Sequence, residues 1–481
     1  MGFDRSASTY MRAFFQMIIL IALVIWGMQA KDGPVPGNWE QQIGYLALIL
    51  MANQIISLWN CGCRFTGFEM WFIVFFYLFM FGQVMLKGVF GVSEIESTGY
   101  TQTIMDPRYN DSLMYKSAIF IICCIQAVAC GLIRKKTEFE KNIEQRKVSS
   151  RLYKTGIVLL IIGIPCHLWY SIDMVFQAQA GSSYDAIEEG IGLIDDFANF
   201  LVPGMLCIIF SNKISKLRMR FIIAGVLTYL ALVMITTGDR RYQTVTMIVL
   251  ILAYMRGNNI RFSLKQVWLV AAAMVLLNGF VVLRNIRTNS LVGVGDFFSA
   301  YGSNLFAFDN NVIYQTMYEF GVSFYTVCLA IKNIPAQLSY RFGATLISGG
   351  LTIIPVGFVY QDWDIYTFGR IAPKLMQLGR TSVGGSMIAD AFGNFGWLGG
   401  IVFSFLIGVF FKKVLTFKRD TKNVELQWAK YYTVFYACIH LVRASFSEVI
   451  RTIVWGVGIL YIVYFLVFRE DKKGDKKTFK K

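Results

Sequence analysis

Arginine is the residue type through which this chain offers chemistry. Arg108, Arg240, Arg241, Arg284, Arg287, Arg341, Arg370, Arg380, Arg443 and Arg451 fall on one side of a series of long apolar runs, where only five lysines accompany them. A guanidinium stays charged at every accessible pH and presents a planar fork of donors that matches a phosphate with two bonds, whereas lysine is a mobile point charge. The ten-to-five preference points to a phosphate- or pyrophosphate-bearing ligand. Membrane proteins also use such arginines as interfacial anchors or as partners of Asp and Glu.

Spacing singles out three groups. In ITTGDRRYQTV (235–245), Arg240 and Arg241 sit in a very short turn between two apolar runs and are held at its surface. In VVLRNIRTNS, Arg284 and Arg287 are three apart, so both lie on one helix face where a run ends. In HLVRASFSEVIRTIVWG, Arg443, Glu448 and Arg451 lie in or beside a tight turn, and charges at such depth must be paired or used. Glu448 with Arg451 forming a structural ion pair is the plain alternative. His440 shares a helix face with Arg443, three residues on, while His167 sits mid-run in IPCHLWY, where a hydrogen bond to a neighbouring helix is expected. Neither belongs to a ligand cluster. Asp362-Trp363-Asp364 has the spacing some transferases use for a divalent metal, but loop carboxylates are common, and no metal or cofactor is expected.

These residues are positioned by a polytopic membrane protein. Of the 481 residues 56% are hydrophobic and 16% charged, which excludes an ordinary soluble domain. Runs long enough to span a bilayer, roughly 17 to 25 residues each, fall at 13–30, 41–59, 68–90, 114–133, 155–177, 193–211, 221–237, 242–255, 264–283, 386–411, 429–446 and 449–468. The fold class is therefore all-α, with about twelve transmembrane helices and one large extracytoplasmic loop. The organisation is residues 1–283 with spans one to nine, a loop at 284–385 with short interfacial helices such as 320–335, three more spans over 386–468, and a basic tail at 469–481. The first run, without a small-residue cleavage site, is expected to be retained.

Eight basic residues in 134–154, four in 212–220, five in 412–422 and seven in the tail all fall on one side. The positive-inside rule makes that side, with both termini, cytoplasmic in a cell membrane, inner or plasma. The net charge of +16 thus reports topology and contact with anionic lipid, not nucleic-acid binding. The loop at 178–192 carries no Lys or Arg and is flanked by Asp173, Asp195 and Asp196, as an outer loop should be. Tyr360, Trp363, Tyr366 and Trp397 are candidates for stacking on sugar rings or for an interfacial belt. The nine cysteines lie mostly within spans and read as small apolar residues, without a disulfide framework.

The segment 378–411 carries a resemblance. Ser382, Gly384, Gly385, Ser386, Ala389, Asp390, Asn394, Phe395, Gly396 and Gly399 resemble the S-x-G-G…A-[DE]-x-x-x-N-F-G-x-x-G stretch that closes the large outer loop in the O-antigen repeat-unit polymerase (Wzy-type) family. The turn TGDRR and Arg443 are similar to features of the same family, and the layout matches along nearly the full length. Where many members carry Glu, this chain has Asp390.

The resemblance implies a GT-C-like integral membrane glycosyltransferase. It would move a growing glycan from polyprenyl pyrophosphate to a lipid-linked repeat unit on the outer face, alongside flippase and chain-length regulator proteins. Arg240, Arg241, Arg284, Arg287 and Arg443 would contact pyrophosphate; Asp390, Glu448 and Asp239, in that order, would serve as base, with His440 near them. A ligase-like transferase would use the same donor site with another acceptor. A lipid-linked sugar transporter or flippase would need cations through the membrane interior and repeat symmetry, neither of which is evident.

Overall fold

The computed structural model describes residues 5–31, 33–97, 100–133, 148–180, 193–237, 240–260, 302, 311–351, 353, 385–417 and 423–466. The helices α1 (Arg5–Ala30), α2 (Trp39–Asn60), α3 (Phe68–Gly88) and α4 (Asp111–Leu132) form an N-terminal group. Gly33, Pro34 and Pro36 separate α1 from α2, and Gly62 at φ 89° turns the chain towards α3. Asn110 starts α4, its Oδ1 accepting the Leu113 amide at 2.8 Å. Between α3 and α4 stands a two-stranded antiparallel hairpin, β1 (Glu94–Ser97) with β2 (Tyr100–Thr103), an addition to the all-α expectation.

Next come α5 (Ser150–Ala180), α6 (Leu193–Ala198), α7 (Leu201–Ser211), α8 (Lys216–Thr237) and α9 (Arg240–Gly257). Three short helices follow, α10 (Val312–Gly321), α11 (Phe324–Asn333) and α12 (Ala344–Leu351). The C-terminal group is α13 (Met387–Val414), α14 (Val424–Ile439) with a 3-10 turn at His440–Val442, and α15 (Phe446–Ile453), which runs through a π-helical turn at Val454–Gly458 into α16 (Ile459–Leu466). Arg151 of α5 caps that last helix, its Nε donating to the Tyr464 carbonyl at 2.6 Å.

Among the described residues eight helices are long and apolar enough to cross a membrane. The expected run 193–211 is divided into α6 and α7 by a turn at Asn199–Phe200, and α9 carries Arg240, Arg241 and Arg256 within 18 residues. The run at 429–446 is a helix from Val424 that ends earlier, at Ile439. The run at 264–283, most of the loop at 284–385 and the tail at 469–481 lie outside the described residues.

The centre is built from α3, α4 and α13. Helices α4 and α13 run parallel and touch backbone to backbone: a Cβ on Gly408 would meet the Val128 carbonyl oxygen at 2.3 Å and one on Gly131 the Phe405 oxygen at 2.5 Å. Such small-residue contacts are how membrane helices gain packing without a hydrophobic driving force. Trp397 belongs to this seam, its ring 4.9 Å from that of Phe120, so packing accounts for it. A ladder of neutral side chains joins α1, α2 and α4. Gln16 Nε2 donates to Ser57 Oγ (2.9 Å), Gln54 Nε2 to Gln126 Oε1 (2.6 Å) and Gln126 Nε2 to Gln16 Oε1 (2.8 Å). All nine cysteines are free, and all but Cys166 are buried.

Helices were expected near 320–335, lying on the bilayer surface. Two are present, but α11 is buried, with Phe324, Val327, Cys328 and Ala330 inaccessible, packed against α4 and α13. The reason is local. Apolar residues surround α11 instead of forming one stripe, and Gln83 of α3 donates to the Tyr318 carbonyl (3.1 Å) while accepting from Tyr325 Oη (2.8 Å). Tyr325 Oη also accepts the Asp106 amide at 2.7 Å, which ties in the chain that follows the hairpin.

Candidate active site

The site is assembled where four helix ends meet. Ser386 begins α13: its Oγ accepts the Ala389 amide at 3.1 Å and shares a 3.0 Å hydrogen bond with Thr326 of α11. Asp390 follows in the first turn and is almost completely buried. Its Oδ2 accepts the Phe446 amide at 3.0 Å, so the carboxylate of one helix supplies the N-terminal acceptor of another, α15. Ser445, at the N-cap of α15, makes no side-chain cap bond of its own. A carboxylate at a helix start interacts favourably with unsatisfied amides and the helix dipole.

The turn into α15 carries His440 and Arg443. The Arg443 and Ala444 amides both donate to the His440 carbonyl, at 2.9 and 2.7 Å, which folds the turn tightly. The His440 ring lies 4.8 Å from that of Tyr242 and meets Tyr436 edge-on at 5.3 Å. Tyr242 is the third residue of α9, directly after Arg240 and Arg241, so both arginines open a helix whose first turn abuts His440. Nothing in the sequence marks Tyr242 except its place after that pair.

Thus the structure brings together Asp390, His440, Arg443 and the start of α9. Glu448 lies in α15 by its backbone, and its side chain, like those of Arg240 and Arg241, is outside the described residues. Asp239, Arg284, Arg287, Arg370, Arg380, the Asp362-Trp363-Asp364 tripeptide, Tyr360 and Tyr366 also lie outside them.

Two other arginines are accounted for by pairing. Arg451 is bound in a fork by Asp196, with Nε to Oδ1 at 2.8 Å and Nη2 to Oδ2 at 2.5 Å, so its observed partner is this aspartate of α6. Arg108 is held by Asp106 in the same manner, and that hydrogen bond raises the guanidinium above its ordinary pKa. His167 shares hydrogen bonds with Tyr229 Oη (2.8 Å) and Ser171 Oγ (3.3 Å), which joins α5 to α8 as a mid-run histidine was expected to do.

One small cavity borders the site. Its walls include Ile334, Leu338, Arg341, Thr345, Asp390 and Asn394. Arg341 was one arginine among ten in the sequence, and its proximity to Asp390 has no sequence signal beyond the turn-forming Phe-Gly that follows it.

A family model described as O-antigen polysaccharide polymerase Wzy matches residues 12–472. The chain belongs to this family. The match takes in every helix at the site. Membership agrees with the resemblance of the 382–399 stretch and places the chain among membrane-embedded polymerases of O-antigen polysaccharide. No curated protein and no solved structure matches this Wzy-family chain.

Proposed function

We propose that this chain transfers a growing glycan from polyprenyl pyrophosphate to the non-reducing end of a single lipid-linked repeat unit, on the outer face of the cell membrane. The observation that carries the reading is that, at one end of the helix bundle, the Asp390 carboxylate holds the start of α15 directly after the His440–Arg443 turn, whose histidine ring lies against Tyr242 next to the Arg240-Arg241 start of α9. The lysine- and arginine-rich connections at 134–154, 212–220 and 412–422 leave from the other end. By the positive-inside rule that end is cytoplasmic and the site faces outward.

The chemistry needs little more than this arrangement. An acceptor hydroxyl oxygen forms a bond to the anomeric carbon, the bond from that carbon to the pyrophosphate oxygen breaks, and the electron pair leaves with the polyprenyl pyrophosphate. Asp390 takes the hydroxyl proton. Arg240, Arg241, Arg284, Arg287 and Arg443 balance the charge that develops on the phosphates. Glu448 and Asp239 rank after Asp390 as base.

The test is to incubate purified protein in nanodiscs with polyprenyl pyrophosphate-linked repeat units from the native pathway and resolve the products. A ladder growing by whole repeat units, lost in Arg240→Ala, Arg287→Ala and Asp390→Asn, is expected. Transfer of finished chains to another acceptor instead would identify a ligase, and folded protein yielding no product would sink the reading.

A further inference from the structure

Asn394 is buried in an apolar helix yet uses its carboxamide fully. Its Oδ1 accepts the Gly343 amide at 2.8 Å, and its Nδ2 donates to Thr345 Oγ1 at 2.7 Å and to the Asp390 carbonyl at 2.8 Å. Beside these bonds the Arg341 amide donates to the Gly393 carbonyl and the Phe342 amide to the Asn394 carbonyl, both at 3.0 Å. The break in α13 explains why those carbonyls are available. Gly396 stands at φ 67° and ψ −160°, so helical bonds from 393 and 394 to residues beyond it are interrupted. A Cβ at Gly396 would also meet the Tyr340 ring at 3.2 Å, so only glycine suits both the backbone and the contact. The turn that reaches back is tight, with Phe342 at φ 46° and Gly343 at φ 91°.

These contacts do more than seal a helix. They bring Arg341, from a segment some fifty positions earlier in the chain, to the wall of the cavity that Asp390 borders. We propose that Asn394 is a positioning residue: with Thr345 it clamps the 341–345 turn onto the broken helix α13 and thereby sets Arg341 as a further cation of the site, for the phosphate-bearing substrate. This rests on the polymerase reading above. Without the clamp, Arg341 would remain in the chain but lose its place on the wall of that cavity.

The test is a double-mutant cycle on kcat/KM for ladder formation, with nanodisc-embedded full-length protein and polyprenyl pyrophosphate-linked repeat units. Misplacing a reacting group by about 1 Å costs on the order of 100-fold, so Asn394→Ala and Arg341→Gln are each expected to lose about that factor. The double variant is expected to be no worse than either alone, because the first change already removes what the second would. Thr345→Val, which keeps the shape and loses the hydroxyl, should fall at least roughly tenfold, and Thr345→Ser should restore activity. Losses that multiply in the double variant, or Asn394→Ala and Thr345→Val at wild-type rates, would overturn the clamp while leaving the polymerase intact. No ladder from folded wild-type protein would overturn the polymerase reading and this proposal together. If Asn394→Ala does not fold, the Thr345 pair and Thr345→Val combined with Arg341→Gln decide the question by the same criteria.

Discussion

Two buried polar regions of this molecule are built on opposite plans. In the N-terminal group, Gln16, Ser57, Gln54 and Gln126 bond to one another across α1, α2 and α4, and every member is neutral. At the start of α13, the carboxylate of Asp390 meets the backbone of another helix, beside an arginine and a histidine in a folded-back turn. Neutral amides that satisfy one another inside a membrane act as glue worth about 1 kcal/mol each. A carboxylate there is costly enough that function is the first explanation to consider. On the proposed reading, the difference separates groups that hold helices together from groups that act.

The largest expected effect tests the second plan. Asp390→Asn still offers an oxygen to the Phe446 amide but cannot serve as a base, so ladder formation should fall by roughly 100-fold or more, the range of general-base catalysis. Elution of the folded protein on size exclusion should not change. If activity survives, Asp390 is only a helix cap and the contrast between the regions collapses.

Next in size is the seam beneath the site. Gly408→Leu places a side chain where a Cβ alone would lie 2.3 Å from a backbone oxygen, and α4 and α13 would have to part. Little folded protein should be recovered, a loss of several kcal/mol by the measure of overpacked cores. Recovery of stable protein would show that the parallel contact is not required.

The ion pair of Arg451 with Asp196 should be intermediate. Removing either partner is expected to cost about 1–3 kcal/mol, between exposed and buried pairs, because the arginine is about a third exposed (32%) while the aspartate is not (6%). Thermal unfolding in detergent would read this, and the specific activity of the folded fraction should stay near wild type. A selective loss of activity would add Arg451 to the phosphate contacts.

Smallest is Gln126→Leu, expected to lower stability by about 1 kcal/mol with turnover unchanged. Turnover falling faster than stability would erase the distinction between glue and site.

Much of the architecture was legible because a bilayer imposes a simple rule. Apolar runs of sufficient length become helices, and α2, α3, α4 and α13 follow them closely. Buried α11 was not legible, since an apolar ten-residue segment reads alike whether it lies on a surface or docks on Gln83. The division at Asn199–Phe200 was hidden for a similar reason: apolar residues continue through it. At the site, His440, Arg443 and the Arg240-Arg241 pair stood out by type and spacing, while Asp390 and Asn394 were visible only as parts of the motif that carries the family resemblance. Arg341 carried no mark of its own among the ten arginines, because its place depends on a turn and a broken helix far away in sequence.

By itself, then, the sequence determined that this chain is a helical membrane protein, that its basic connections gather on one side of the apolar runs, and which arginines are candidates for handling an anion. Those properties follow from hydrophobicity and charge, which act residue by residue against water and lipid. Only the tertiary structure decided which carboxylate meets which helix start, which arginines are spent on Asp106 and Asp196, and that α13 breaks at Gly396 to receive the 341–345 turn. Such choices depend on distances between segments remote in the chain, and those distances exist only once the helices have packed.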